Sequence, residues 1–337
     1  MPEAAEVRII ADNLTNFLKV STLTGITSLN DSFYSKKTHN LHLIGYPLKI
    51  INVHTNGKFC WIELETGGTI GIGFGMSGNI RPEPTEEYLS LYNKNRSKNH
   101  VPETPVTFLK HAMLRIEYID ISGEKQNIYY HDIRRFGNWR YFGSYSEMER
   151  EKLSKLGADI LSATVPPETV VRLFRKYNHK NVCQVLMDQR VLSGPGNYIK
   201  SEILYECKVD PNCTVNSLSD DKLIELYRAA NHIANAAYSS GGASLYTYTG
   251  MNGDQSDFKN TLKVYGRSTD PYGRKIEVIP ENKSPDGRTT YWVPTAIYPL
   301  KKISLKKIQV APPLPALATP VPTAVPTKKL LLKKVVV

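Results

Sequence analysis

No run of about 18 apolar residues occurs anywhere in the chain, and its start lacks a basic segment followed by a hydrophobic one. A helical membrane span is excluded, and the expectation is a soluble protein that is not secreted. Cysteine is scarce: Cys60, Cys183, Cys207 and Cys213 are the four in 337 residues. None forms a C-x-x-C pair, which argues against both a disulfide scaffold and a zinc site and favours a reducing compartment. Acidic residues are outnumbered, 32 Asp and Glu against 43 Lys and Arg, leaving a formal charge of +11. Such charge attracts polyanions, of which nucleic acid is the commonest, though composition alone does not decide the matter. The length allows a large core and points to two domains plus extras.

Val7, Ile10, Leu14 and Leu18 recur at helical spacing and predict a helix over Ala4–Leu18. The terminal amine would then lie beside a helix N-terminus. From Ser21 to about Phe142 the chain turns to short β-rich runs broken by Gly, Asn and Asp, which predicts a sandwich or barrel of strands. Residues 83–107 show neither period and read as a long loop. Beyond Gly143 helices are expected over 147–156, 168–177, 182–189, 198–207 and 218–238. Residues 275–279 and 289–293 flank a turn-forming Ser284-Pro285-Asp286-Gly287, the pattern of a hairpin with Arg288 near its tip. From Ala311 onward Pro, Ala, Val and Lys dominate, as in a flexible basic tail.

The opening Met1-Pro2-Glu3 carries possible chemistry. A small second residue permits removal of the initiator methionine, leaving Pro2 as a free secondary amine. An α-amine titrates at about 7.7–8.0, and a neighbouring helix N-terminus disfavours its ammonium form further. Attack by a secondary amine on a sugar C1′ gives a cationic iminium that acidifies the C2′ proton. Glu3 stands beside it as a proton carrier. Taken singly, none of the other candidate features is decisive. Lys58 at a strand entrance reads as a solvated charge, Met76 as core, Arg134-Arg135-Phe136 as a surface turn, and Ser193 to Gly196 as an ordinary glycine turn.

Order and spacing change that weighing. A series of segments, from Pro2 to about Pro294, resembles the formamidopyrimidine-DNA glycosylase and endonuclease VIII family of bifunctional glycosylase/lyases. MPEAAEV, where the family commonly has MPEGPEV, keeps Pro2, Glu3 and Glu6 in register. Gly57-Lys58-Phe59 is similar to the site of the family lysine that reaches the lesion phosphate and assists elimination. In FGMSGNI, Met76 resembles the wedge that fills the space of a flipped base. Gly73 stands where bacterial-type members often carry histidine, so that phosphate contact does not transfer. Asp132 to Gly137, DIRRFG, resembles the loop whose first arginine and phenylalanine enter the duplex opposite the lesion.

LMDQRVLSGPGNYIKSEILY, residues 186–205, closely resembles the helix-two-turn-helix signature. Its glycine turn is read as aiming backbone N–H groups at a phosphate, with Asn197 as a further donor. Residues 241–258 and VYGR at 264–267 resemble the damaged-base loop and its exit, nearer the oxidised-purine branch. In the hairpin, Tyr272 and Val293 stand near positions where many members place zinc-binding cysteine pairs, so the resemblance implies a finger without zinc. GRTTYWVP, residues 287–294, is similar to the plant form, with Arg288 matching the finger arginine.

The expected architecture is α+β. It has an N-terminal two-layer β-sandwich (residues 1–145), a C-terminal helical domain carrying the helix-two-turn-helix (146–262), a zinc-less β-hairpin finger (263–300) and a flexible basic Pro/Lys tail (301–337). The resemblance implies a bifunctional DNA glycosylase/AP lyase acting in base-excision repair through a Pro2 Schiff base and β,δ-elimination. Formamidopyrimidines are the first expectation for the lesion, ahead of 8-oxoguanine and oxidised pyrimidines. Pro2, Glu3, Lys58 and Arg288 are the catalytic candidates. Lys58, Met76, Arg134, Arg135, Phe136, Asn197 and Arg288 are the DNA-binding ones, and Glu6 and Glu202 the supports. No metal or organic cofactor is expected. The implied partner is double-stranded DNA with oxidised bases or abasic sites, met by a monomer inside the cell (in the nucleus of a eukaryote) and away from membranes. The competing class is a non-catalytic protein that binds damaged or structured DNA; the presence of Pro2, Glu3 and Lys58 counts against it.

The charge balance yields a first prediction. Affinity for duplex DNA falls steeply with salt, log K dropping by about 0.9 per phosphate neutralised. Deleting residues 301–337 lowers affinity without reordering lesion preference, as titrations of labelled duplexes at two salt concentrations would show. A changed lesion ranking would contradict the tail's assignment.

Overall fold

A computed structural model describes residues 2–95, 101–162, 165–242 and 258–294. Most of the expected damaged-base loop, the end of the finger and the basic tail lie outside these residues.

Helix α1 (Ala4–Leu18) forms where the apolar spacing places it, and the Glu6 carboxylate reaches back one turn to accept the Glu3 N–H at 2.8 Å. Its Val7, Ile10, Ala11, Leu14 and Leu18 belong to the core under the sheet, while Ala4 and Ala5 belong to the helical core. One helix therefore enters both. Each large aliphatic side chain so buried contributes about 1.5–3 kcal/mol.

The sheet comprises β1 (Thr22–Ser28), β2 (Thr38–His39), β3 (Leu48–Asn56), β4 (Phe59–Leu64), β5 (Thr69–Gly73), β6 (Asn79–Pro82), β7 (Ala112–Ile119), β8 (Lys125–His131) and β9 (Asn138–Phe142). Their order among the described residues is β2-β9-β5-β4-β3-β1-β7-β8-β6. Neighbours are antiparallel except β2 and β9. The two halves meet in a narrow seam, Thr22 opposite Lys49 and Leu23 opposite Leu48. Tyr130 on β8 nonetheless packs edge-on against Trp139 on β9, with centroids 5.4 Å apart. Rings from strands so distant in the order meet only if the sheet folds back on itself. The two layers of the expected sandwich are thus halves of one hydrogen-bonded sheet.

A short helix, α2 (Asp31–Lys37), joins β1 to β2. Residues 83–107, read from sequence as a long loop, instead supply α3 (Glu86–Asn95) and the first turn of α4 (Pro105–His111). Their polar, tyrosine-rich text hides the reason, which is tertiary. The Arg81 guanidinium, buried on β6, lies 4.0 Å from the Tyr92 ring centroid and 4.6 Å from that of Phe108. It also makes paired hydrogen bonds of 3.0 and 2.5 Å to Glu103.

The chain leaves the sheet through α5 (Tyr145–Glu151), whose Met148 packs against Trp61 and Phe142, and the second core is built by α6 (Pro167–Arg175), α7 (Val182–Met187), α8 (Asn197–Glu206), α9 (Asp220–Ser239) and α10 (Phe258–Thr261). Ser144, Asn181 and Ser219 cap α5, α7 and α9 by accepting backbone N–H groups. A two-residue parallel pair, β10 (Ala158–Asp159) with β11 (Leu192–Ser193), ties the inter-core connection to the glycine turn. The hairpin forms from β12 (Glu277–Ile279) and β13 (Thr290–Trp292). Val264, Ile276 and Val293 pack it onto Tyr205 of α8.

All described residues belong to one packing unit, and Gly57 marks a contact that makes it so. It turns between β3 and β4 with φ +56°, and a Cβ there would stand 2.1 Å from Ser193 Oγ and 2.6 Å from the Ser193 carbonyl carbon. Gly57→Ala is expected to lower stability by about 2–4 kcal/mol through strain and overlap. Denaturant unfolding checks this, and a loss under about 0.5 kcal/mol would show that the junction yields freely.

Candidate active site

The site begins with a shared task at the chain start. Because Glu6 already satisfies the Glu3 N–H, the Glu3 side chain is free to cross to the helical core. Its carboxylate accepts from Gly196 N at 2.6 Å, Tyr198 N at 3.0 Å and Ile199 N at 3.3 Å, so it sits on the N-terminus of α8. A Cβ at Gly196 would lie 2.3 Å from the Glu3 carboxyl carbon, which is why this position has no side chain. The Ala4 N–H donates to Gly194 O at 3.2 Å, and Pro2 is buried beside this clasp.

This corrects one expectation. The N–H groups of the glycine turn, read as free for a phosphate, are engaged within the chain. Gly196 serves Glu3, and Gly194 donates to Gln189 Oε1 at 2.9 Å. A carboxylate carried by the same chain reaches the helix end at high effective concentration and fills it first.

Burial drives the Glu3 carboxyl from an ordinary 4.5 up to about 7. The nearby Lys58 ammonium opposes that rise, Glu6 adds to it, and the N–H groups of Tyr198 and Gly196 oppose it. Lys58, in the turn after Gly57, is shifted the other way: burial lowers its pKa, Glu3 and Glu6 counteract, and Arg288 pushes it further down. Four of the residues singled out from sequence, Glu3, Glu6, Lys58 and Arg288, therefore share one electrostatic neighbourhood with Pro2 at its edge. Tyr198 adds a hydroxyl 3.3 Å from Glu6 Oε1.

A second group forms around the two candidate wedges. Phe136 is 57% exposed on the loop after β8, and Arg134, Arg135 and Ile133 are exposed with it. Asp132, fully buried, accepts from Ser77 Oγ at 2.5 Å and from Gly137 N at 2.7 Å, and Ser77 Oγ in turn accepts from Arg134 N at 2.9 Å. Gly75, with φ +59°, would place a Cβ 2.6 Å from the Phe136 carbonyl carbon. The half-buried Met76 and the Arg134–Phe136 loop are thus one clamped body. Arg135 carries the strain, a non-glycine residue at φ +56°.

Sequence models of two domains match this chain: the formamidopyrimidine-DNA glycosylase N-terminal domain over residues 1–139 and the formamidopyrimidine-DNA glycosylase H2TH domain over 156–249. A formamidopyrimidine-DNA glycosylase of Listeria monocytogenes is 32% identical over 249 residues, 73% of this chain and 81% of the relative. The chain belongs to the formamidopyrimidine-DNA glycosylase family. The crystal structure of the MutM (Fpg) protein from Thermus thermophilus superposes with a TM-score of 0.70 at 25% identity, covering 88% of this chain and 98% of that one. A Lactococcus lactis Fpg variant solved with Fapy-dG-containing DNA shares the fold, with a TM-score of 0.69 and 20% identity over 88% of this chain and all of that one.

The remaining candidates lie on α8 and in the finger. Glu202 on α8 accepts from three successive N–H groups, Lys263 at 2.8 Å, Val264 at 2.9 Å and Tyr265 at 2.8 Å, and so fixes the chain entering the finger. Asn197 donates to Thr289 O at 2.8 Å, spending one amide hydrogen on the finger. Arg288 is exposed after Gly287. Of the two positions compared with zinc ligands, Val293 is buried in the finger's apolar cluster and Tyr272 is 80% exposed. Among the described residues no group of three His, Cys, Asp or Glu is placed to hold a metal. Sequence reasoning gave Ser77 no role and read Asp132 and Gln189 only as parts of the DIRRFG and 186–205 segments. Their signal was present, since short polar side chains beside glycine turns commonly bond neighbouring backbone.

The paired carboxylates make a measurable claim. Isotope-edited NMR of Glu3 should give a midpoint near 7, and Glu6→Gln, by removing a like charge, should move it downward. A midpoint near 4.5 in the unaltered protein would contradict the burial argument.

Proposed function

We propose that this chain is a bifunctional DNA glycosylase/AP lyase of base-excision repair, with the imino nitrogen of Pro2 as nucleophile. The observation that carries the reading is the buried Glu3 carboxyl, adjacent to Pro2, on the N-terminus of α8 and poised near pH 7 beside a Lys58 whose pKa is lowered.

The Pro2 nitrogen attacks C1′ of the flipped nucleotide and the damaged base departs with its bonding electrons and a proton. The sugar ring then opens, the C1′–O4′ bond breaking and O4′ taking a proton, and the iminium so formed draws electrons from the sugar. Loss of the C2′ proton then expels the 3′ phosphate, and a second elimination expels the 5′ phosphate. Glu3, close to half ionised at neutral pH, carries protons in these steps, and Lys58 and Arg288 hold the lesion phosphates. Met76, Arg134 and Phe136 occupy the space left by the extruded nucleotide, Arg135 contacts the backbone beside them, and Asn197 adds a donor from α8. Glu6 and Glu202 act as supports. The substrate is duplex DNA bearing oxidised bases or abasic sites, with formamidopyrimidines favoured. The listerial and Thermus relatives, named for that activity or family, support this choice. The finger works without zinc, and the protein acts as a monomer inside the cell, in the nucleus if its source is eukaryotic.

Borohydride reduction in the presence of abasic-site duplex tests the reading. The processed chain should become covalently linked to DNA, Pro2→Gly should change or abolish the linkage, and prior chelation should leave it intact. Strand cleavage should rise between about pH 6 and 8 as Glu3 ionises, and Glu3→Gln should flatten that rise. Retardation of the duplex without a cross-link would instead identify a non-catalytic binder of damaged or structured DNA.

A further inference from the structure

We propose that Lys200 is a positioning residue for Arg288, acting through Asp286, so that the middle of α8 sets the finger arginine over the site. The proposal rests on the glycosylase/lyase reading above.

A lysine in a DNA-binding helix is ordinarily expected to meet a phosphate. Lys200 does not face solvent: its side chain is 0% exposed. A buried ammonium is tolerated only when its charge is paired and its hydrogens are used. Here Nζ donates to Asp286 Oδ2 at 2.6 Å and to Thr290 Oγ1 at 2.9 Å. Asp286 lies in the finger turn and Thr290 opens β13, and each holds one backbone polar atom of Arg288. Asp286 Oδ1 accepts the Arg288 N–H at 3.3 Å, and Thr290 Oγ1 donates to the Arg288 carbonyl at 3.2 Å. Ser284 Oγ closes the knot, donating to Asp286 Oδ1 at 2.7 Å and lying 3.0 Å from Thr290 Oγ1. The flanks are tied to the same framework, with Gln184 of α7 donating to Pro285 O and Asn197 of α8 to Thr289 O, both at 2.8 Å.

The Arg288 side chain itself stays exposed, yet its charge acts on Lys58. A guanidinium left mobile would not keep that relation. Lys200 therefore works on the reaction without touching DNA, by fixing the backbone from which Arg288 projects. The same α8 helix holds Glu3 at its first turn. The pair thus sets the distance between proton carrier and finger arginine through one rigid element.

The test combines two readouts on the full-length processed chain. In single-turnover cleavage of a lesion duplex, Lys200→Met and Arg288→Ala should each slow the reaction about 10–100-fold, the effect of a small misplacement. The double variant should be no slower than Arg288→Ala alone, and Lys200→Met by itself should change affinity for undamaged duplex by less than about twofold. Lys200→Arg should restore most of the rate. In limited trypsinolysis, cutting after Arg288 should rise about tenfold in Lys200→Met while cuts within the sheet domain stay unchanged. If Lys200→Met does not fold, Asp286→Asn, which keeps the shape and removes the charge, is held to the same outcomes. Unchanged cutting at Arg288, or rate losses that multiply in the double variant, would overturn the proposal. Failure of the wild-type chain to be trapped on abasic DNA would sink the functional reading instead. The proteolysis still reports on the Lys200 link in that case.

Discussion

A carboxylate buried against the backbone N–H groups of a helix end is the contact on which the rest of the molecule depends. Glu3 belongs to the first helix and α8 to the other core, so their union aligns the chain start, the sheet and the helical region together. It also sets chemistry. Helix-end hydrogen bonds favour the anion, burial and Glu6 disfavour it, and the balance leaves the group titrating near 7. Had the same carboxylate been solvated at the surface, it would be ionised throughout the physiological range and useless as a proton carrier.

The α8 helix distributes that alignment. Its first turn holds Glu3 and carries Asn197 and Lys200 toward the finger, Ser201 follows them, and Glu202 faces three N–H groups of the incoming chain. Polar residues on a buried helix are ordinarily a liability. Here each has a backbone or charged partner, so the helix works as a rack that spaces the parts of the site. Rigid spacing matters because proton transfer and phosphate binding both weaken sharply over fractions of an ångström.

The loop of Arg134 to Phe136, proposed as a wedge with Met76, follows a different physical logic. An exposed phenylalanine and an arginine with left-handed backbone are both unfavourable in the free protein. They persist because buried Asp132 and the Ser77 hydroxyl over-determine the loop. Strain held this way is available at once when DNA arrives, with little ordering left to do.

Reading along the chain located most of this. The period of Val7, Ile10, Leu14 and Leu18 defined α1, β-rich runs and their turn residues marked the sheet, and Pro2, Glu3, Lys58, the DIRRFG loop and the 186–205 signature stood out by their resemblance to the family's segments. Those features are local: a helical stripe, a strand alternation or a glycine turn is written within about ten residues. What lay beyond reach was pairing over distance. Residues 83–107 read as a long loop because their helices depend on Arg81 and Glu103, and the two expected layers were one sheet because only folding brings Tyr130 to Trp139. Likewise no local pattern says that the amides of Gly196 and Tyr198 belong to Glu3, or that Lys200 points inward to Asp286. Which residues could do chemistry was decided by side-chain type and position in the chain. Which of them share a charge, a proton or a turn was decided by tertiary contact, because electrostatic coupling and burial depend on distance in space rather than along the sequence.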